Sequence, residues 1–155
     1  MQRFFKTYTI MKKIFILLTL CIATNVLFAA ERLQIKVNYT KGLYKGLTYS
    51  AIQEAEPDFI KDKSRYEGRF LEEFEKKITE PIAVVFTDTP DKKGNYMTIN
   101  ILTVSPKGNL VAEVSYKGQT KQFKCKGGTF GSFLNLFGDG MGSLGKDLAK
   151  WIHTL

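Results

Sequence analysis

The spacing most suggestive of chemistry lies near the end of the chain, in GDGMGSLGKD, Gly138 to Asp147. Gly140, Gly142 and Gly145 fit the G-x-G-x-x-G dinucleotide fingerprint, and Gly140, Gly145 and Lys146 fit most of a phosphate-binding loop, G-x-x-x-x-G-K. Such loops hold phosphate because glycine lets backbone N–H groups close around the anion where a helix begins. Neither reading fits its context. A dinucleotide site needs a helix, a second strand and an acidic ribose partner after the glycines, and only ten residues follow Gly145. A phosphate loop needs Ser or Thr after its lysine, and Asp147 stands there, where its charge repels phosphate. The expectation is no nucleotide and no cofactor.

The remaining inventory for acid–base, nucleophilic or metal chemistry is thin. His153 is the single histidine, and one histidine builds no metal cluster. Cys125 alternates with Phe123 on an apolar strand face and reads as a small core residue. Glu72, Glu73 and Glu75 stand at helical spacing beside Lys76 and Lys77, the pattern of a solvated face and not of a catalytic carboxylate pair. Asp139, between two glycines, suits a turn or a helix cap. No serine sits in a nucleophile elbow. The sequence therefore predicts no catalytic, cofactor-binding or metal-binding residues.

The first thirty residues bear on where the protein works. Arg3, Lys6, Lys12 and Lys13 precede an apolar run, Ile14 to Ala29, that ends in small residues before Glu31 and Arg32. A basic start, an apolar core and a small exit residue describe a secretory signal peptide over residues 1–29. A lipoprotein variant would place the lipid on Cys21, but Leu20 just before it is unfavourable. The expected location is periplasmic, outer-membrane-associated or secreted, which argues against nucleic acid and nucleotide partners. Without the leader, the 23 Lys and Arg fall to 19 against 15 Asp and Glu, a charge of +4 in place of +8. That favours contact with anionic surfaces without specifying one. Residues 30–155 suffice for one core, and their lone Cys125 cannot form an internal disulfide.

The elements follow from periodicity. LQIKVNY alternates as a strand with one buried face, and KGLYKGLTYS is a glycine-broken stretch with some extended structure. AIQEAEPDFIKD has no assignment from pattern alone, because Pro57 interrupts any helix that begins near Ser50. SRYEGRFLEEFEKKITEP is the clearest helix, with Ser64 and Glu67 at capping-box spacing, Tyr66, Phe70, Leu71, Phe74 and Ile78 on one face, and Pro81 as its end. IAVVF reads as a strand covered on both sides. NYMTINILTV and GNLVAEVSY form a hairpin through SPKG, and KQFKCK closes the sheet. This predicts an α+β fold: a mixed, mostly antiparallel sheet of about five strands under two main helices, in β-α-β-β-β-β-α order, as a single two-layer domain. A glycine-rich apolar loop is expected over 126–142, followed by a C-terminal helix over 143–155 with Leu144, Leu148, Ile152 and Leu155 on one face.

That loop is the candidate interaction segment, carried by Gly127, Gly128, Phe130, Gly131, Phe133, Asp139 and Gly140. Its large apolar residues either pack into the core or meet a partner or a lipid surface. Lys117, Lys121, Lys124 and Lys126, along the last strand, either guard a sheet edge or face an anionic envelope component. KGGTFGSFLNLFGDG, Lys126 to Gly140, resembles a signature of small secreted proteins of Bacteroidetes without an assigned function, and the order of the preceding segments is similar. More distantly, the layout resembles the periplasmic domain of curli-secretion-type lipoproteins. The resemblance implies no catalytic residues. These observations point to an exported, non-catalytic envelope module with an unidentified protein partner or the outer-membrane surface. The alternative is a small periplasmic hydrolase or ligand-binding enzyme with an unrecognised site.

Overall fold

The computed structural model describes residues 31–155; the expected signal peptide and Cys21 lie outside the described residues. The alternating pattern of LQIKVN forms β1 (Glu31–Asn38), with Leu33, Ile35 and Val37 buried and Gln34, Lys36 and Asn38 on the opposite face. A two-residue strand, β2 (Leu43–Tyr44), follows, then α1 (Tyr49–Ala55), a single helical turn α2 (Asp58–Lys61) and α3 (Lys63–Glu75). Four strands come next: β3 (Ile82–Phe86), β4 (Tyr96–Val104), β5 (Leu110–Tyr116) and β6 (Gln119–Cys125). The helix α4 (Phe133–Ile152) closes the chain.

The fold is α+β, with a mixed six-stranded sheet in the order β3-β1-β4-β5-β6 and β2 added beside β4. β1 runs parallel to both β3 and β4, and β2 runs parallel to β4. The antiparallel half is the meander β4-β5-β6. Two lysine–glycine pairs, Lys45-Gly46 and Lys117-Gly118, make two-residue turns with both residues at positive φ. That geometry matches the twist of the flanking strands and is cheapest with glycine. One sheet face carries α3 and α4. Phe70 of α3 meets Phe86 of β3 with ring centroids 5.5 Å apart, and Trp151 of α4 meets Phe123 of β6 at the same separation. The other face is polar. Asn38 Nδ2 donates to Asn100 Oδ1 (2.6 Å), Asn100 Nδ2 donates to Glu113 Oε1 (3.3 Å), and the Ser115 and Thr120 hydroxyls pair at 2.9 Å.

Several boundaries differ from the sequence expectation. The last helix begins at Phe133, ten residues before Ser143, so most of the expected loop is helix, and Leu155 lies beyond its end. Its interior glycines are tolerated where other backbone comes close, that of α3 on one side and of the β4–β5 turn on the other. A Cβ on Gly145 would stand 2.3 Å from the Phe70 carbonyl oxygen, and one on Gly140 would stand 2.3 Å from the Gly108 oxygen. Two glycines of the apparent nucleotide motif, Gly140 and Gly145, are thus sites of close backbone approach inside a helix. At the start of α3 the N-cap is Asp62 and not Ser64, and the helix ends at Glu75, five residues short of Glu80-Pro81. Glu67, freed from a capping role, accepts the Tyr39 hydroxyl at 3.0 Å. β3 is an edge strand with Ala83 exposed and its other residues half-buried, because no strand follows it in the sheet.

Candidate contact surface

The segment between β6 and α4 is held by its backbone. Cys125, the last residue of β6, is buried. Gly127 N–H donates to Asn109 Oδ1 (2.9 Å), and a Cβ there would stand 2.1 Å from the Lys107 carbonyl oxygen. Gly128 N–H donates to the Leu136 carbonyl at 3.3 Å. Ser132 caps α4, its Oγ accepting from Asn135 N–H at 3.4 Å. With both ends fastened, the residues between them project outward, and Phe130 is 89% exposed.

The sequence-predicted loop residues separate accordingly. Phe130 and Gly131 are exposed, while Gly127 and Gly128 are half-buried against the β4–β5 turn and α4. Phe133 is only 7% exposed and packs on Phe59 and Phe137, with ring centroids at 5.7 and 6.4 Å. Gly140 is buried, and Asp139 sits on the second turn of α4, 3.8 Å from the Arg69 guanidinium. The structure therefore brings Gly127 to Gly131 together as a loop and assigns Phe133, Asp139 and Gly140 to the helix.

Other residues join Phe130 at this end of the sheet. Lys45 follows β2, donates its N–H to the Val104 carbonyl (2.7 Å), and lays its ammonium over the Phe133 ring at 5.2 Å. That places Leu43 (47% exposed) and Leu47 (40% exposed) at the same end. A trough of about 670 Å³ runs there, with Leu43, Val104, Leu110 and Val111 lining it beside Lys124 and Lys126. Lys107, Lys124 and Lys126 have no carboxylate within 4.0 Å among the described residues, whereas nearby Glu56 is paired with Lys45 at 2.7 Å. Cys125 borders the trough but is no nucleophile at neutral pH: burial first, and Asp147 second, push its thiol up to about 12. Leu43 and Leu47 escaped the sequence reading, which took KGLYKGLTYS only as a glycine-broken stretch.

A second titratable cluster lies within the core and was also not anticipated. Tyr44 and Tyr66 are buried against Phe59 and Phe137, and Tyr39 is buried against Tyr66, with ring centroids 5.5 Å apart. Burial raises all three hydroxyls well above the usual tyrosine value, reinforced at Tyr39 by Glu67. Tyr44 Oη donates to the Tyr39 carbonyl at 2.8 Å, while the Tyr66 hydroxyl has no hydrogen-bond partner among the described residues. Burial also holds the Glu67 carboxyl above its ordinary value, opposed by Lys63 and the Tyr39 hydroxyl. The cavity beside Glu67, Lys63 and Asp88 measures only about 90 Å³. His153 Nε2 lies 3.2 Å from the Lys77 carbonyl, on the surface. Among the described residues no group of three or more His, Cys, Asp or Glu could hold a metal, and no helix is long and apolar enough to cross a membrane.

The geometry defines an α+β domain with one helical layer, an open polar sheet face and a fastened loop that presents an aromatic residue to solvent. Set against protein families, curated proteins and solved structures, the chain matches none.

Proposed function

We infer that the chain is a non-catalytic binding or assembly module of the bacterial cell envelope, acting through contact of its Gly127–Ser132 loop with a protein or with the outer-membrane surface. The observation that carries this reading is Phe130, a large apolar side chain 89% exposed on a segment whose backbone is pinned on both sides. A fixed aromatic costs little conformational entropy when it enters a complementary surface. The signal-like N-terminus and the resemblance to secreted Bacteroidetes proteins supply the envelope setting. Glu67, the carboxyl that burial raises, adjoins a cavity of about 90 Å³, small for a substrate.

The test compares two phenylalanines three residues apart. Phe130→Ser should leave the thermal melt unchanged and weaken retention in the envelope fraction of native cells. Phe133→Ser should instead lower stability by about 3 kcal/mol or more, as for truncation of a buried aromatic. Undiminished envelope retention of a folded Phe130→Ser protein would sink the reading.

A further inference from the structure

We propose that the Phe130 end of the sheet seats on an anionic lipid surface, with Phe130, Leu43 and Leu47 entering the interface and Lys107, Lys124 and Lys126 against the headgroup phosphates; this rests on the contact-surface reading above and names its occupant. Three observations carry it. First, three of the large exposed apolar residues gather at one end, and they come from two separate segments. Second, the lysines there arise from the β4–β5 turn and from β6 and its exit, and none has a carboxylate within 4.0 Å among the described residues. Of the acids towards this end of the fold, Glu56 and Asp139 are engaged with Lys45 and Arg69, and Asp147, whose charge acts on the Cys125 thiol, is paired with Lys150 at 3.7 Å. Third, the trough of about 670 Å³ combines an apolar lining with Lys124 and Lys126, which suits an amphiphile with an anionic head.

The side-chain types choose lipid over protein. Protein interfaces favour Tyr, Trp and Arg and are depleted in Lys. Here the unpaired cations are lysines, whose long stems lie along apolar surface while the ammonium stays in water. Apolar residues that dip into the headgroup boundary, ringed by lysines, make the contact of a peripheral protein with an anionic bilayer.

The test is vesicle flotation of protein recovered from cells expressing the full chain, so that residues 1–30, in whatever form the cell leaves them, are common to all variants. Vesicles of phosphatidylglycerol and phosphatidylcholine in equal parts are compared with phosphatidylcholine alone. Wild-type protein should float with the anionic vesicles and detach as salt rises, because screening contracts from about 10 Å at 0.1 M to about 3 Å at 1 M. The K124Q/K126Q double variant should bind roughly 25-fold more weakly, at about fivefold per lysine, and Phe130→Ser about tenfold more weakly. All three sites are exposed, so unchanged melts are expected and confirm that folding is not the cause. Equal binding to both vesicle types, or variants that bind like wild type, would overturn the lipid assignment. If vesicles are ignored while a photo-crosslinker at position 130 captures one defined envelope protein, the lipid assignment falls and the contact-surface reading stands. If neither contact is found, both fall.

Discussion

Gly142 and Gly145 lie three residues apart on the same seam of α4, and the structure gives them different responses to one substitution. A methyl group at Gly145 would stand 2.3 Å from the Phe70 carbonyl oxygen and 3.1 Å from its carbon, both backbone atoms of α3 that no rotamer change can move. At Gly142 the nearest atoms are Glu73 Cγ at 3.3 Å, on a flexible side chain, and the Arg69 oxygen at 3.5 Å. Both replacements with alanine gain about 1 kcal/mol of helix propensity. At Gly145 the helices must part by about 1 Å, and overpacking of this kind costs about 3 kcal/mol. The net expectation is a loss of about 2 kcal/mol for Gly145→Ala, and between no change and a gain of about 1 kcal/mol for Gly142→Ala. In a domain of this size each kcal/mol moves the melting temperature by about 4 °C. Thermal melts followed by far-ultraviolet circular dichroism should show a fall of about 8 °C for one variant and no fall for the other. Were Gly145→Ala to melt at or above wild type, α3 and α4 would not approach as described. Equal losses at both positions would mean that the helix needs glycine for its backbone and not for its neighbours.

Two further outcomes follow from the buried titratable groups. Glu67 binds its proton more tightly folded than unfolded, so wild-type stability should rise as pH falls through its raised folded value towards the ordinary carboxylate value. Glu67→Gln should lack that increment, and urea melts across this range that give parallel curves for the two proteins would refute it. Cys125, with its thiol pushed up to about 12 by burial, should be alkylated only as fast as the domain opens. Mass spectrometry of the Cys125 peptide should therefore show labelling that accelerates with urea in step with unfolding, and rapid labelling of the native protein would contradict the burial.

The strands were legible because each buries one face. Leu33, Ile35 and Val37, and later Phe123 and Cys125, alternate with polar residues just as their burial does. Their parallel pairing about β1 was not legible, since alternation reports faces and not neighbours. The glycine-rich segment misled for a physical reason. Gly138, Gly140, Gly142 and Gly145 each cost helix propensity locally, and only at Gly140 and Gly145 does nearby backbone, of the β4–β5 turn and of α3, both distant in sequence, leave no room for a side chain. A countersignal was present: Phe133, Phe137, Met141, Leu144 and Leu148 recur at three- and four-residue steps from Ser132 onward, and all are buried. Of the candidate contact residues, Phe130 and its flanking glycines were visible in the sequence. Leu43 and Leu47 were not, because they reach the same end only through the pairing of β2 with β4.

Two surfaces of this fold are left uncovered by helix, and their chemistry differs. On the open sheet face, Asn38, Asn100 and Glu113 bond to one another across three strands, and Ser115 bonds to Thr120. Such groups are already satisfied, and a partner would have to break these bonds to use them. At the strand ends the balance is the reverse. Phe130 has solvent around nearly all of its surface, and Lys107, Lys124 and Lys126 have no acidic neighbour within ion-pair distance among the described residues. Association there removes apolar area from water and gives the lysines counter-charges without breaking an internal bond. A binding partner therefore gains most at the strand ends, the place to which the fastened glycine loop delivers its phenylalanine.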